Sequence, residues 1–334
     1  MDFDLYFQHI LAADVSRFAL STPIDYLSAI SNRLGCRVFS KREDLQPVHS
    51  FKIRGVSYKL SQLLKCKLGG VLVAPSTGNH AVSVSYCAQT LGYEVVVVMP
   101  QQTPRIKIDT ASKLCKEVII SGENCQQSCR FAEDLAAQIG AVLVHPYDDP
   151  DIIVGHATMA REIVSQLNYQ QIKAIFVPIG GGALISSVAL YMRRMMPKTK
   201  IIGVQYDGCD GMRLSLRAGK VIVHKPLSSF ASAIATEKVG EETFRICNKL
   251  IDDVMVVGYE AVVAAIDDFY RHCRIVLEPA GAISLAALKE WCPKNSYGST
   301  DVMVTLACGS NADLSLLFNN HSTIQTQQDV CTSE

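Results

Sequence analysis

The stretch Ala174-Ile175-Phe176-Val177-Pro178-Ile179-Gly180-Gly181-Gly182-Ala183-Leu184 decides how the rest of the chain is read. A β-branched and aromatic run ends in proline, three glycines follow, and an apolar run of helical length begins at Leu184. That order predicts a strand, a tight turn and a helix. Glycines leave the backbone N–H groups uncovered, and a helix start adds N–H groups with no intrahelical acceptor at the positive end of its dipole. A phosphate suits such a place; a tight turn with no ligand is the other reading. The run is not a dinucleotide fingerprint, because Ile185 stands where the last glycine of GxGxxG is required.

Outward from this stretch, short β-branched runs alternate with amphipathic segments, the pattern of an α/β protein with largely parallel sheets. One group of strands is expected at 37–41, 173–178, 200–205, 253–257 and 301–306, and a second at 70–74, 94–99, 117–121 and 141–145. Helices are expected at 106–114 and 124–138. The grouping predicts a large domain from 1–67 and 148–322, a small inserted α/β domain at 68–147 with Pro146 to Pro150 as its return linker, and a polar tail at 323–334.

With 32 basic and 32 acidic residues among 334, the chain has no cationic excess for a polyanion, which argues against nucleic acid or an anionic membrane as partner. No apolar run approaches the roughly 20 residues of a membrane span, and the start lacks a basic leader followed by an apolar stretch, so the expected location is the cytoplasm. Twelve cysteines without a CxxC pair read as reduced thiols. Cys125 and Cys129 are expected on one helix face as packing. Neither HExxH, GxSxG nor GxxxxGK[ST] occurs and the eight histidines are dispersed, so no metal is assigned.

Two further segments carry chemistry. In Ser50-Phe51-Lys52-Ile53-Arg54-Gly55 a lysine opens a helix behind an aromatic residue. Burial there lowers an ammonium pKa and frees a nucleophilic amine able to form a Schiff base; a surface lysine is the plainer reading. Ser76-Thr77-Gly78-Asn79-His80 sits between a strand and a helix, where its hydroxyls, amide and N–H groups could hold a carboxylate and a phenolic oxygen, or only cap the helix.

The stretch from Lys41 to Gly55, with VHSFKIRG at its end, resembles the cofactor-lysine motif of threonine ammonia-lyases (threonine dehydratases), members of the fold type II pyridoxal-phosphate enzymes. The resemblance continues through Pro75–His80, Val177–Leu184, Val239–Val257, Glu278–Lys289 and Ala307–Asn311. It implies a tryptophan synthase β-like fold of two open, twisted, mostly parallel sheets flanked by helices, pyridoxal 5'-phosphate as cofactor, an amino-acid substrate and a homo-oligomer. The implied activity is α,β-elimination of L-threonine to 2-oxobutyrate and ammonia, or of L-serine to pyruvate. Isoleucine biosynthesis is the implied context, and isoleucine feedback through the regulatory domain of the biosynthetic relatives is not expected.

Carried onto this sequence, Lys52 is the Schiff-base lysine and takes the Cα proton, with Phe51 against the pyridine ring. Gly180, Gly181, Gly182, Ala183 and Leu184 form the phosphate loop, Asn79 bonds the phenolic oxygen, Ser76 and the backbone around Thr77 and Gly78 hold the substrate carboxylate, and Cys308 faces the pyridine nitrogen. Several positions depart from the family pattern. Ala183 replaces a fourth glycine, Ser232-Ala233 an acidic residue and glycine, and Gln205 a glutamate of metal-binding relatives. Thr77 replaces alanine, where serine racemases place an acid/base serine. The alternatives are therefore a racemase of the same fold or a catalytically degenerate relative that binds cofactor or an amino acid.

Overall fold

The computed structural model describes residues 1–76, 78–103, 105–228 and 230–312, the side chains of Ile106 and Lys107 excepted. Thr77, the last ten residues of the expected large domain (313–322) and the expected tail at 323–334 lie outside the described residues.

Ten strands form two sheets among these residues. They are β1 (Ile24–Tyr26), β2 (Arg37–Arg42), β3 (Val71–Pro75), β4 (Glu94–Met99), β5 (Glu117–Ile120), β6 (Val142–Leu143), β7 (Ile172–Pro178), β8 (Lys200–Tyr206), β9 (Asp253–Val257) and β10 (Val302–Ala307). The six-stranded sheet has the order β1-β2-β10-β7-β8-β9 and the four-stranded sheet β5-β4-β3-β6. Every pairing is parallel except β1 with β2. The helices are α1 (Phe3–Ala12), α2 (Ser28–Leu34), α3 (Lys52–Lys65), α4 (Asn79–Leu91), α5 (Arg105–Ser112), α6 (Cys125–Ile139), α7 (Pro150–Gln166), α8 (Ala183–Met195), α9 (Gly211–Ala218), α10 (Glu241–Leu250), α11 (Tyr259–Cys273) and α12 (Pro279–Trp291).

Parallel strands covered on both faces read as unbroken apolar runs, and β10 (VMVTLA) is buried at every position. Its neighbour β7 is buried at all but Lys173. One core lies between the large sheet and α3, α7 and α8; a second lies on its other face against α11 and α12. The expected strands match the observed ones to within a few residues, and β1 is the addition. A three-residue antiparallel edge strand is too short to carry a period.

The segment after β6 differs from the expected linker, because Pro150 is the first residue of α7. Proline is tolerated there, its missing N–H being one that a helix start leaves unpaired. Asp149 caps that helix, accepting from Asp151 N–H at 2.8 Å, and Asp148 accepts from the first three N–H groups of α10, Glu241, Glu242 and Thr243, at 2.9, 3.1 and 3.3 Å. The chain leaving β6 is thus fastened to two helix starts. Helices α3 and α7 touch backbone to backbone: a Cβ at Gly155 would lie 2.5 Å from Arg54 O.

Candidate active site

A cavity of about 540 Å³ opens where the loops after β3, β6, β7 and β10 converge. These are the carboxyl ends of parallel strands, where open α/β sheets bind ligands. The residues expected from sequence meet here: Phe51, Lys52, Ser76, Asn79, Gly180 to Leu184 and Cys308 all line the cavity. The side-chain geometry of Thr77 lies outside the described residues.

Lys52 is the first residue of α3, so its ammonium sits at the positive end of a helix. Its Nζ donates to Pro146 O at 2.8 Å and stands 5.4 Å from the Phe51 ring centroid. Burial pulls its pKa down to about 8, against the opposing pull of the Glu278 carboxylate. A neutral amine is therefore accessible near physiological pH, as the sequence reading required.

Opposite lies the glycine turn. Gly182 has φ +102° and leads into α8 with no side-chain cap, so the first N–H groups of that helix have no intrahelical acceptor. The turn is tied down, since Thr243 Oγ1 donates to Gly181 O at 2.6 Å, and it is tightly packed, since a Cβ on Gly181 would fall 2.1 Å from Tyr147 Cγ. Gly181→Ala should therefore push the turn off the Tyr147 ring. The expected result is a loss of about 1–3 kcal/mol from overpacking, with weaker uptake of pyridoxal phosphate; unchanged thermal midpoint and uptake would refute the cradle geometry.

The Ser76 hydroxyl accepts from Gly78 N–H at 3.1 Å and keeps a proton to donate. Asn79 opens α4. Its amide donates to Glu278 Oε1 at 2.7 Å and its Oδ1 accepts from Asn311 at 2.7 Å, which fixes the amide orientation and leaves a second N–H. Cys308 follows β10 in a buried position, and burial, then Glu43 and Glu278, push its thiol well above the usual range. It stays a protonated, weak donor. Ser232 and Ala233 also line the cavity, with Ile234 Cα 3.0 Å from where a Gly180 Cβ would be.

Sequence reasoning assigned no role to Glu278, which stands just before Pro279 at the start of α12 and lines the cavity. His80 and His145 were missed as well. Burial, helped by Lys52, takes His80 down to about 3, and burial lowers His145, so both stay neutral beside the amine. Cys125 and Cys129 do share a face of α6, yet that face lines the cavity instead of packing into a core. Gln205, at the position of a metal-binding glutamate, has both amide ends occupied by Cys209 O and Arg213 N–H. Among the described residues no three His, Cys, Asp or Glu side chains are grouped to hold a metal ion, and no helix is long and apolar enough to cross a membrane.

Two mostly parallel sheets with a half-buried lysine facing a glycine anion cradle define the class of fold type II pyridoxal-phosphate enzymes. The family described as "Pyridoxal-phosphate dependent enzyme" matches residues 15–309, and the chain belongs to it. It is 39% identical over 325 residues to threonine dehydratase 1 biosynthetic, chloroplastic, of Solanum lycopersicum, which covers 97% of this chain and 54% of the relative. The chain thus spans about half the length of the curated relatives it matches. Among solved structures, the processed form of threonine deaminase isoform 2 from the same plant superposes with TM-score 0.88 at 37% identity, covering 95% of this chain and 92% of the other. Maize serine racemase follows at TM-score 0.85 and 29% identity, covering 98% and 99%.

Proposed function

We propose that the chain is a threonine, or serine, ammonia-lyase that uses pyridoxal 5'-phosphate and converts L-threonine to 2-oxobutyrate and ammonia. The observation that carries the reading is the Lys52 amine, held near pKa 8 in the same cavity as the Gly180–Gly182 cradle. The site fits the cofactor: it offers uncovered N–H groups for a phosphate, an amine for an aldehyde and a weak thiol donor for a ring nitrogen. When bound, pyridoxal phosphate supplies an electron sink for the bond broken at Cα.

Gly180, Gly181, Gly182, Ala183 and Leu184 hold the phosphate through backbone N–H groups. The remaining N–H of Asn79 would hold the ring oxygen, and Phe51 would offer a face to the ring. Cys308, kept protonated by burial, would offer the ring nitrogen only a weak thiol donor. Ser76 and Thr77 orient the substrate carboxylate, and the neutral Lys52 amine takes the proton from Cα.

Residues 68–147 are proposed as a separate small domain beside the large one. A homo-oligomer and a cytoplasmic location complete the proposal; the eleven described cysteines, all free, suit a reducing compartment.

The purified protein is expected to be yellow, with a visible band that shifts on addition of L-threonine and returns as 2-oxobutyrate accumulates. A colourless protein that takes up no added pyridoxal phosphate would end the reading, and D-isomer without oxoacid would assign a racemase.

A further inference from the structure

His156 lies in α7 with its ring fully buried, away from the cavity lining, and the chemistry above gives it no task. Its Nδ1 accepts Gly55 N–H at 3.1 Å. A backbone N–H can only donate, so the lone pair is on Nδ1 and the ring proton on Nε2. That Nε2–H is buried and meets no acceptor among the described residues. An unpaired buried donor costs stability, and an apolar ring of similar shape would avoid the cost. A histidine kept at such a position has a use for its other nitrogen.

The first turn of α3 is what that nitrogen touches. Gly55 lies three residues beyond Lys52, and Phe51, just before it, meets the His156 ring edge to face at 4.8 Å and 60°. The close approach of α3 and α7 at Gly155 brings the imidazole against this turn. We infer that His156 is a positioning residue for Lys52: a neutral imidazole in one tautomer holds the Gly55 amide and the Phe51 ring, and so fixes the turn from which Lys52 reaches the cavity. The inference rests on the reading of Lys52 as the cofactor lysine.

Charge does not confuse the test. The Lys52 amine faces Glu278 at the start of α12 and the imidazoles of His80 on α4, His145 before α7 and His156 on α7; Arg54, which also acts on His156, is paired with Glu43 and Glu162. All three imidazoles are held neutral by burial, so an uncharged replacement at 156 leaves the local charge unchanged. Any change at Lys52 then reports geometry.

Two variants separate the two contacts. His156→Phe keeps a ring but loses the acceptor; His156→Asn keeps an acceptor near Nδ1 but loses the ring. The full-length protein is stripped of pyridoxal phosphate with hydroxylamine, cofactor is returned, and the rate at which the visible band reappears is followed against pH. In that step the Lys52 nitrogen adds to the aldehyde carbon and water leaves, so the rate tracks the neutral amine. Wild type should show a midpoint near pH 8. His156→Asn should stay within about threefold of wild type, whereas His156→Phe should be slower by at least about tenfold at pH 8, since misplacing a reacting group by about 1 Å costs up to about 100-fold. The thermal midpoint of His156→Phe should change by only a few degrees, because the unpaired Nε2–H that it removes is exchanged for an unpaired Gly55 N–H.

Wild-type rates in His156→Phe would overturn the inference, as would equal slowing of both variants in step with lost thermal stability. Should His156→Phe fail to fold, amide exchange at Gly55 in the wild-type protein decides: protection supports the inference, and exchange at the open rate overturns it. A wild-type protein that links cofactor at Lys52 but makes no oxoacid would end the ammonia-lyase reading alone. One that never links cofactor there would end both.

Discussion

Lys52→Ala is expected to abolish oxoacid formation from L-threonine. The lysine supplies both the amine that links the cofactor and the base at Cα, and positioned acid–base catalysis alone contributes about 10²–10⁴-fold. The combined loss should exceed about 10⁴-fold, because alanine can perform neither task. Fold and thermal midpoint should be retained or improved. Lys52 is held below its usual pKa, so below about pH 8 the folded protein must accommodate a charge that burial disfavours. Steady-state assay with a purified variant decides, and a residual turnover above about 1% of wild type would remove Lys52 from the mechanism.

Arg54→Leu should give the largest loss of stability. Its guanidinium is fully buried and paired with two carboxylates: Nε and Nη2 donate to the Glu43 oxygens at 2.7 and 2.7 Å, Nη1 and Nη2 to those of Glu162 at 2.7 and 2.8 Å. Lys41, also buried, donates to Glu162 at 2.6 Å. Burial alone would push the Glu43 carboxyl up, but Arg54, with Lys41 and Thr22, more than offsets it and holds the group below its usual value. Leucine would leave Glu43 as a buried acid without its main partner, at a cost of about 3–5 kcal/mol. At roughly 2 °C per kcal/mol for a chain of this size, the thermal midpoint should drop by at least about 6 °C. Arg54→Lys should recover little, since an ammonium cannot span two carboxylates in forked geometry. A drop below about 2 °C would show that the network contributes little. Arg54 follows Lys52 by two residues, so cofactor retention should weaken with it.

Much of the fold was legible because parallel strands covered on both faces must be apolar throughout, and runs such as Glu94–Met99 and Lys200–Tyr206 can be little else. Lys52, Asn79, the glycine run and Cys308 were legible because each belongs to a short motif at a strand-to-helix junction, and the fold does bring those junctions to one cavity. Glu278 and the three histidines were not. Their roles come from what surrounds them: His80 and His156 are ordinary helix residues until burial makes them neutral and neighbours settle their tautomers. Cys125 and Cys129 show the same limit, since spacing sets their shared helix face but not what that face meets.

The sequence by itself determined the α/β class, the order of the strands along the chain and the residue types able to bind a phosphorylated aldehyde, because periodicity, glycine runs and helix starts are local properties of the chain. Only the tertiary structure decided that Asp148 fastens the chain after β6 to α10, that Asn79 is oriented by Glu278 and Asn311, and that His156 meets the turn bearing Lys52. Those contacts join residues 93, 199, 232 and 101 positions apart, or nearly so, along the chain. Their energies depend on burial and on distances of a few ångströms, which chain folding sets and no local pattern encodes.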